Sequence, residues 1–136
     1  MKKLPTDRRI LKIIYKKYAK TFEQYSVDNK SRSAKMYVPI DIESIAKRFK
    51  TDPDMIFGRL YYHLDKKYGY KQENGSEVHL FTLMAGADKH CVHFPYLAAV
   101  LVSMESENKK FLITIVLSVA AITISLMTSL YSLFMK

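Results

Sequence analysis

The chain has 136 residues, 49% of them hydrophobic and 26% charged, and its formal net charge at pH 7 is +9. This length suits one folded domain beside one membrane span and leaves no room for a second domain. The single cysteine, Cys91, excludes an internal disulfide and suits a reducing compartment. No glycine-rich phosphate loop, Ser/His/Asp set or pair of catalytic carboxylates stands out, so the sequence predicts neither an enzyme nor a cofactor.

The positive charge is concentrated in the N-terminal part of the chain. Residues 1–50 contain 14 lysines and arginines against 5 acidic residues, whereas residues 51–110 contain 7 against 8. A basic surface attracts nucleic-acid phosphates or anionic lipid headgroups, and composition alone leaves both partners open. The charged run Pro5 to Arg9 stands where a signal peptide needs apolar residues, which predicts no export signal.

The first predicted helix begins after Thr6, a suitable N-cap, and places Asp7 at the positive end of the helix dipole. Hydrophobic residues recur at helical spacing from Ile10 to Tyr25 and form the predicted buried face. Another side of the helix is basic, and its residues are Arg9, Lys12, Lys16 and Lys20. This side either contacts an anionic partner or is a solvated surface whose lysine stems cover the core.

Short elements follow the first helix. The polar run Val27 to Lys35 has no apolar periodicity and is typical of a mobile basic loop. Residues 36–40 are rich in β-branched and aromatic side chains, and their proline restricts them to the edge or end of a sheet. Asp41 is a suitable N-cap for a second helix, which we expect to end near Lys50.

The third helix has a strong start signal in Asp52-Pro53-Asp54, an N-cap followed by proline at the first helical position. Gly69 is expected to end this helix in the left-handed conformation. Two extended runs, 70–72 and 77–84, flank Glu73-Asn74-Gly75-Ser76, a sequence typical of a hairpin turn. A turn at 86–89, a short strand at 91–94 and Pro95 at the start of a long helix complete the predicted elements.

The order helix, strand, helix, tight turn, helix, two-stranded wing resembles that of a winged helix-turn-helix domain. The resemblance extends from about Arg8 to Met84 and is carried by Ile42 to Phe49, the turn Lys50 to Asp54, and Met55 to Lys67. It implies a mainly α fold with a small β-wing. It also implies that the third helix is a recognition helix and that the 73–76 hairpin is the wing, both placed against DNA.

The third helix departs from the pattern of a DNA reader. With Leu60 at the centre of its buried face, seven positions point outward at 100° per residue. These outward residues are Asp54, Met55, Gly58, Tyr61, Tyr62, Asp65 and Lys66. Carboxylates are repelled by phosphates, whereas Met55, Tyr61 and Tyr62 suit a protein partner. Alternatively, these three side chains pack against a loop of their own domain.

The C-terminal segment is predicted to cross a membrane. Phe111 to Met135 contains no charged residue, and its 25 residues span roughly 37 Å as a helix, enough for the hydrocarbon layer of about 30 Å. The adjacent Lys109-Lys110 pair indicates a cytoplasmic boundary, because basic flanking residues tend to stay on that side. We therefore expect a tail-anchored protein with a winged-helix-like cytoplasmic domain at 1–94, a juxtamembrane helix at 95–110 and a transmembrane helix at 111–135.

A heptad pattern continues through the juxtamembrane and transmembrane helices. Outside the lipid its positions are mainly apolar, and inside they are small or hydroxylated, as helix packing in lipid requires. The seam consists of Leu97, Val100, Met104, Phe111, Thr114, Ser118, Ala121, Ser125, Thr128 and Ser132. It predicts a homodimer through the C-terminal helix. The alternative is chance alignment, since serine and threonine are common in membrane helices.

One cluster of possible metal ligands is present, His90, Cys91 and His93 beside Asp88. Its spacing matches no closed zinc pattern, and no fourth ligand shares a face with both histidines. We therefore interpret these residues as structural and predict no metal site.

The leading functional hypothesis is a DNA-binding transcriptional regulator tethered to the membrane. The basic residues expected to meet phosphate are Arg9, Lys12, Lys16, Lys20, Lys30, Arg32, Lys35, Lys47 and Arg48, with Arg59 and Tyr62 added from the third helix. The alternative hypothesis is a membrane adaptor, in which Met55, Tyr61 and Tyr62 bind a protein while the basic helix rests on anionic lipid.

Overall fold

The computed structural model describes residues 3–26, 28 and 30–135, and the chain divides into two compact units, Met1–Leu101 and Val102–Lys136. The helices are α1 (Asp7–Glu23), α2 (Ile42–Phe49), α3 (Pro53–Gly58), α4 (Lys66–Tyr68) and α5 (Phe94–Phe134). The strands are β1 (Tyr37–Pro39), β2 (Tyr70–Lys71), β3 (Glu77–Val78), β4 (Phe81–Ala85) and β5 (Asp88–His93). The predicted mainly helical fold with small antiparallel sheets and a long C-terminal helix is confirmed.

Local capping signals start the first two helices. The Thr6 side chain accepts a hydrogen bond from the backbone N–H of Arg9, and the Asp41 carboxylate accepts one from Ser44 at 3.1 Å. Both predicted N-caps are therefore confirmed. Lys50 ends α2 in the left-handed conformation, with a φ of 52°.

The third helical segment, residues 53–68, is continuous but changes its winding. It begins as α3, where Asp52 accepts a hydrogen bond from the Asp54 backbone N–H at 2.8 Å. It then continues as a π-helix over Arg59–Asp65 and ends in the single turn α4. The wider π-turn changes the direction of the side chains that a regular 100° spacing predicts.

Gly69 does not end this segment in the way the sequence suggested. Its φ of −61° and ψ of 141° are extended, so the predicted left-handed conformation is wrong. A Cβ atom at this position would lie 2.6 Å from the carbonyl oxygen of Asp65. The glycine is therefore needed for a close backbone approach.

The strands form two separate antiparallel sheets. One has the order β1-β5-β4, with Tyr37 opposite His93 and Phe81 opposite Val92. The other is the ribbon β2-β3, whose turn contains Gly75 at a φ of 84° and confirms the predicted hairpin. The predicted single run 77–84 is thus divided between β3 and β4. The hairpin joined to β1 is β4-β5, whereas the hairpin predicted as the wing is the separate ribbon.

The interior of the first unit lies between α1, α2, the third helical segment, the β1-β5-β4 sheet and the start of α5. Phe94, the first residue of α5, stacks on Tyr15 at 5.4 Å and on Phe22 at 4.9 Å between ring centroids. The largest fully buried side chains of the first unit are Phe81, Ile10, Leu11, Ile14, Ile45, Ile56, Leu60, Leu64, Leu80 and Leu97.

The second unit is the remainder of α5. Its apolar part has a mean hydropathy of 2.4, and none of that stretch is buried. Among the described residues, α5 is the one helix long and apolar enough to cross a membrane. It meets the requirement of length and composition for a membrane-spanning helix.

Candidate functional site

The exposed basic residues of α1 and α2 form a surface that we call the cationic face. Lys16 and Lys17 project from α1, and Arg48 projects from α2. Together with Ile13, Ser44 and Ile45 they line a cavity of about 260 Å³ between the two helices. The Lys17 ammonium donates a hydrogen bond to the Ser44 hydroxyl across this cavity. The members of the cationic face are Arg9, Lys16, Lys17, Lys20, Lys47 and Arg48.

Two members of this cavity, Lys17 and Ser44, were not among the predicted binding residues. Lys17 lies on the flank of α1 that faces α2, about 100° from Lys16. Its pairing with Ser44 joins residues 27 positions apart, so it depends on how the helices pack. The adjacent Lys16-Lys17 pair is the only local signal that the sequence offered.

The remaining predicted lysines occupy varied settings. Lys30 is exposed, Lys12 is partly buried, and Lys35 is exposed with its ammonium 5.9 Å from the Phe22 ring centroid. Arg9 lies over the Phe49 ring at 5.6 Å, which fixes its stem against α2. These lysines do not line the α1-α2 cavity.

Arg32 was expected to meet an anionic partner, but it is buried within the first unit. Its side chain is only 5% exposed, and the guanidinium donates to the carbonyl oxygens of Thr21 at 2.9 Å, Ala34 at 3.0 Å and Lys35 at 2.7 Å. It also lies over the Tyr25 ring at 4.8 Å. Burial lowers the pKa of Arg32. Its charge stabilises the C-terminal end of α1, where backbone carbonyls otherwise lack partners.

The loop that contains Arg32 was predicted to be mobile. Val27 and Asn29 lie outside the described residues, but the later part of the loop has specific contacts. The Ser33 backbone N–H donates to the Asp88 carboxylate at 2.7 Å, and its hydroxyl accepts a hydrogen bond from Ala87 at 3.1 Å. This part of the loop is therefore attached to the β4-β5 turn.

Arg59 is the arginine that the third helix was expected to offer to DNA. Its guanidinium instead forms an ion pair with Asp7 of α1, with Nε 3.0 Å from the carboxylate. His63, one turn later, places Nε2 3.1 Å from the same carboxylate. The ion pair with Asp7 joins the third helical segment to α1, and a contact of Arg59 with DNA stays a prediction.

The third helical segment also carries an aromatic surface, which consists of Phe57, Tyr61, Tyr62 and Phe81 of β4. Phe57 stacks on Tyr61 with 5.5 Å between ring centroids, and Tyr62 meets Tyr61 edge to face at 5.0 Å. Tyr61 is half-buried against Phe57 and Phe81, whereas Tyr62 is 69% exposed. Met55, 46% exposed, precedes this surface on the same helix. Tyr61 thus packs within its own domain, and Met55 and Tyr62 remain open.

Asp65 does not point away from the domain as the regular helical spacing predicted. Its carboxylate accepts hydrogen bonds from the backbone N–H groups of Leu80 at 2.8 Å and Phe81 at 3.2 Å, and it meets His79 Nδ1 at 3.0 Å. This carboxylate therefore attaches the π-helix to the start of β4. Asp54 and Asp65 were the two outward acids expected to disfavour DNA binding by the third helix, and Asp65 has a structural role instead.

The region around Cys91 has structural contacts. Cys91 is buried, and burial raises the pKa of its thiol. His93 Nδ1 accepts a hydrogen bond from the Tyr96 backbone N–H at 3.2 Å, and burial lowers the pKa of His93. His93 therefore caps the start of α5 in its neutral form. Among residues 3–26, 28 and 30–135, no group of three potential metal ligands is found.

Two members of the predicted oligomer seam require correction. Leu97 is fully buried and Val100 is 5% exposed within the first unit, so both pack in its core and cannot contact a second copy. Hydroxyls in the apolar segment bond back to their own helix, for example Thr114 to the Lys110 carbonyl at 2.9 Å and Ser118 to the Thr114 carbonyl at 2.8 Å. Self-association through the rest of the seam stays a prediction.

Comparison with known proteins gave no match: neither a family model, nor a curated protein, nor a solved structure corresponds to this chain. The chemistry open to the molecule follows from the two surfaces just described. One is cationic and belongs to α1 and α2. The other is aromatic and belongs to the third helical segment and β4.

Proposed function

We propose that this chain is a single-pass membrane protein whose N-terminal unit is a non-enzymatic interaction module on the cytoplasmic side. In this proposal the cationic face rests on anionic lipid, while Met55 and Tyr62 bind a protein partner. The observation that carries the proposal is the placement of the cations. Lys16, Lys17 and Arg48 are exposed on α1 and α2, whereas Arg59 on the third helical segment is paired with Asp7.

The length of the connecting segment supports lipid as the anionic partner. Residues 102–110 separate the compact N-terminal unit from the uncharged run that begins at Phe111. Nine residues reach roughly 30 Å even when fully extended. A domain anchored by so short a segment experiences a high effective concentration of headgroups, and each basic residue near an anionic surface contributes about 1 kcal/mol.

Flotation with vesicles tests the lipid contact. A fragment of residues 1–110 is mixed with vesicles of phosphatidylcholine alone or with added phosphatidylserine. We expect flotation only with the anionic vesicles and its loss as salt is raised, because screening weakens contacts between exposed charges. The double variant Lys16→Gln/Arg48→Gln should float much less than the unchanged fragment. Equal flotation with neutral vesicles, or none with anionic vesicles, would reject lipid as the partner.

The exposed part of the aromatic surface supports a protein partner. An open tyrosine and an open methionine on the same helical segment supply apolar contact area with a polar tip, which is typical of protein interfaces. Tyr62→Ala removes an exposed ring without opening the core, so the fold should persist. Crosslinking of the full chain in membranes should lose a specific adduct in this variant and retain it in Tyr70→Ala, a control at another exposed tyrosine.

A second candidate function is duplex DNA binding by a winged-helix-like domain, and the sheet order favours it. The β4-β5 hairpin comes after the third helical segment and the β2-β3 ribbon, pairs with β1 and has Gly86 in its turn, and this order supports a wing-like role. Under this candidate, the 1–110 fragment should bind duplex DNA with an affinity that falls steeply as salt rises. Absence of binding at low salt would exclude DNA while leaving the lipid contact untouched.

A further inference from the structure

We propose that the cavity between α1 and α2 is a binding site for a phosphomonoester group. The ligand chemistry is a terminal phosphate, supplied either by a lipid headgroup such as phosphatidic acid or by a soluble phosphate. This inference rests on the proposed function, since it names a specific ligand for the cationic face. It also goes further, because a general attraction to anionic lipid requires no defined site.

The charges around the cavity are of one sign. Lys16, Lys17 and Arg48 line it, and no acidic residue is among its six lining residues. Within the described part of the chain, no carboxylate forms an ion pair with any of these three cations. Arg59 differs from these three residues, because Asp7 neutralises its charge. Three cations that lack a carboxylate partner around one concavity create a positive potential that attracts an anion.

Ser44 adds a neutral donor to the same cavity. Its backbone N–H already donates to the Asp41 carboxylate at 3.1 Å, and its hydroxyl oxygen accepts a hydrogen bond from Lys17. A serine hydroxyl that accepts in this way still has its own proton to donate. The side chain therefore offers an O–H to a ligand beside the ammonium groups, at a position fixed by the Asp41 cap.

The floor of the cavity is apolar. Ile45 is fully buried and Ile13 is half-buried beneath the charged rim. An apolar floor excludes water on one side and strengthens the electrostatic attraction between the rim and an anion. The volume of about 260 Å³ lies at or below the small end of roughly 300–1,000 Å³ for small-molecule sites, which suits one phosphate group and its first carbons.

The number of donors favours a monoester over a diester. A phosphomonoester carries a charge of roughly −1.5 to −2 near neutral pH and presents three terminal oxygens. A phosphodiester, as in phosphatidylserine or nucleic-acid backbone, carries a single charge and presents two. Two ammonium groups, one guanidinium and one hydroxyl supply enough donors for all three oxygens of a monoester, and three cations attract its higher charge more strongly than the single charge of a diester.

The experiment uses the full chain in lipid nanodiscs of three compositions: phosphatidylcholine alone, with phosphatidylserine, and with phosphatidic acid, the last two adjusted to equal surface potential. The methyl NMR signals of Ile13 and Ile45 report on the cavity floor. We expect larger shifts with phosphatidic acid than with phosphatidylserine. Inorganic phosphate titrated into the neutral discs should shift the same signals to saturation.

Matched variants distinguish phosphate binding in the cavity from a general attraction of the cationic face for anions. Arg48→Gln and Lys17→Gln each remove one cation from the cavity and should weaken phosphate binding roughly tenfold, as expected for loss of a hydrogen bond to a charged group. Lys47→Gln makes the same charge change on α2 but outside the cavity lining, so it should change the affinity for phosphate less than about twofold. Near-UV circular dichroism confirms that each variant is folded.

The outcomes are distinct. Equal responses to the two anionic lipids, together with equal losses in Arg48→Gln and Lys47→Gln, would overturn the site while leaving the lipid contact of the proposed function intact. Saturable phosphate binding that only the cavity variants weaken, without any response to anionic discs, would support the site with a soluble phosphate as ligand and contradict the membrane contact. A response to phosphatidic acid discs that exceeds the phosphatidylserine response assigns the phosphate to a headgroup.

Discussion

Two regions of the first fifty residues are rich in positive charge, but their arginines are used differently. In the loop after α1, the guanidinium of Arg32 is buried and bonded to backbone carbonyls. In α2, the guanidinium of Arg48 is exposed at the rim of a cavity that no carboxylate lines. The first arginine stabilises the fold, and the second is available for a ligand.

A count of basic residues therefore does not measure a binding surface. Arg32 and Arg59 were both expected to contact phosphate, yet one is buried among carbonyls and the other is paired with Asp7. A charge whose hydrogen bonds are satisfied inside the protein has little left to offer a partner. Of the basic residues predicted to contact phosphate, the exposed ones belong to α1, α2 and the loop after α1.

The largest expected effect comes from removing the buried arginine. Arg32→Ala should lower the free energy of unfolding by about 3 kcal/mol, because carbonyls at the end of α1 and in the loop lose the donor that the buried guanidinium supplies. Thermal unfolding of the full chain in detergent, followed by near-UV circular dichroism, measures this loss. Arg48→Ala is the matched control and should stay within about 0.5 kcal/mol of the unchanged chain. Similar stability losses in both variants would contradict the distinction between the two regions.

The sequence predicted the helix starts because their signals are local. Thr6, Asp41 and Asp52 each cap a helix through an atom two or three residues away. The burial of Arg32 was not predictable in this way, since its partner Thr21 lies 11 positions earlier and is brought close only by the turn of the chain. The cavity at Lys17 was missed for the same reason.

The second expected effect concerns Asp65, a charged residue that was wrongly placed on the outer surface. Asp65→Ala leaves the backbone N–H groups of Leu80 and Phe81 without their acceptor, so the unfolding free energy should fall by about 2 kcal/mol. Asp65→Asn retains an oxygen acceptor and should lose less. Glu73→Ala, at an exposed turn, serves as the control. The same thermal unfolding experiment applies, and an unchanged Tm in Asp65→Ala would show that these bonds do not support β4.

The misplacement of Asp65 has a physical cause. An even 100° per residue turns this side chain outward, but the segment Arg59–Asp65 is a π-helix with more residues per turn. No local pattern in the sequence predicted this π-helix. The division of the run 77–84 into two strands follows from the same contact, because Asp65 binds the chain between β3 and β4.

The third effect is a pH dependence at the start of α5. Burial lowers the pKa of His93 below its usual value of 6.5, so the neutral ring is favoured in the folded state. Its contribution to stability is present above pH 6.5 and is lost as the pH falls through the lowered pKa. The cap is worth about 1 kcal/mol. His93→Asn keeps an acceptor that does not titrate, so its Tm should fall less than that of the unchanged chain between about pH 7.5 and pH 5. Parallel Tm curves would argue against a neutral His93 cap.

The smallest expected effect is at the arginine of the third helical segment. Arg59→Gln should change the binding of the 1–110 fragment to anionic vesicles by less than about twofold, since Asp7 already neutralises this guanidinium. Arg48→Gln should weaken the same binding more and reduce its salt dependence. If Arg59→Gln proves the more damaging of the two, the third helical segment rather than the cationic face meets the anion.

Paramagnetic relaxation from labelled headgroups tests most directly which surface meets the membrane. The full chain is placed in anionic nanodiscs that contain a gadolinium-chelating lipid, and NMR probes are placed at Lys16 and at Tyr62. We expect strong broadening at residue 16 that high salt removes, with little broadening at residue 62. Broadening at residue 62 alone, or equal broadening at both residues that salt leaves unchanged, would contradict this expectation.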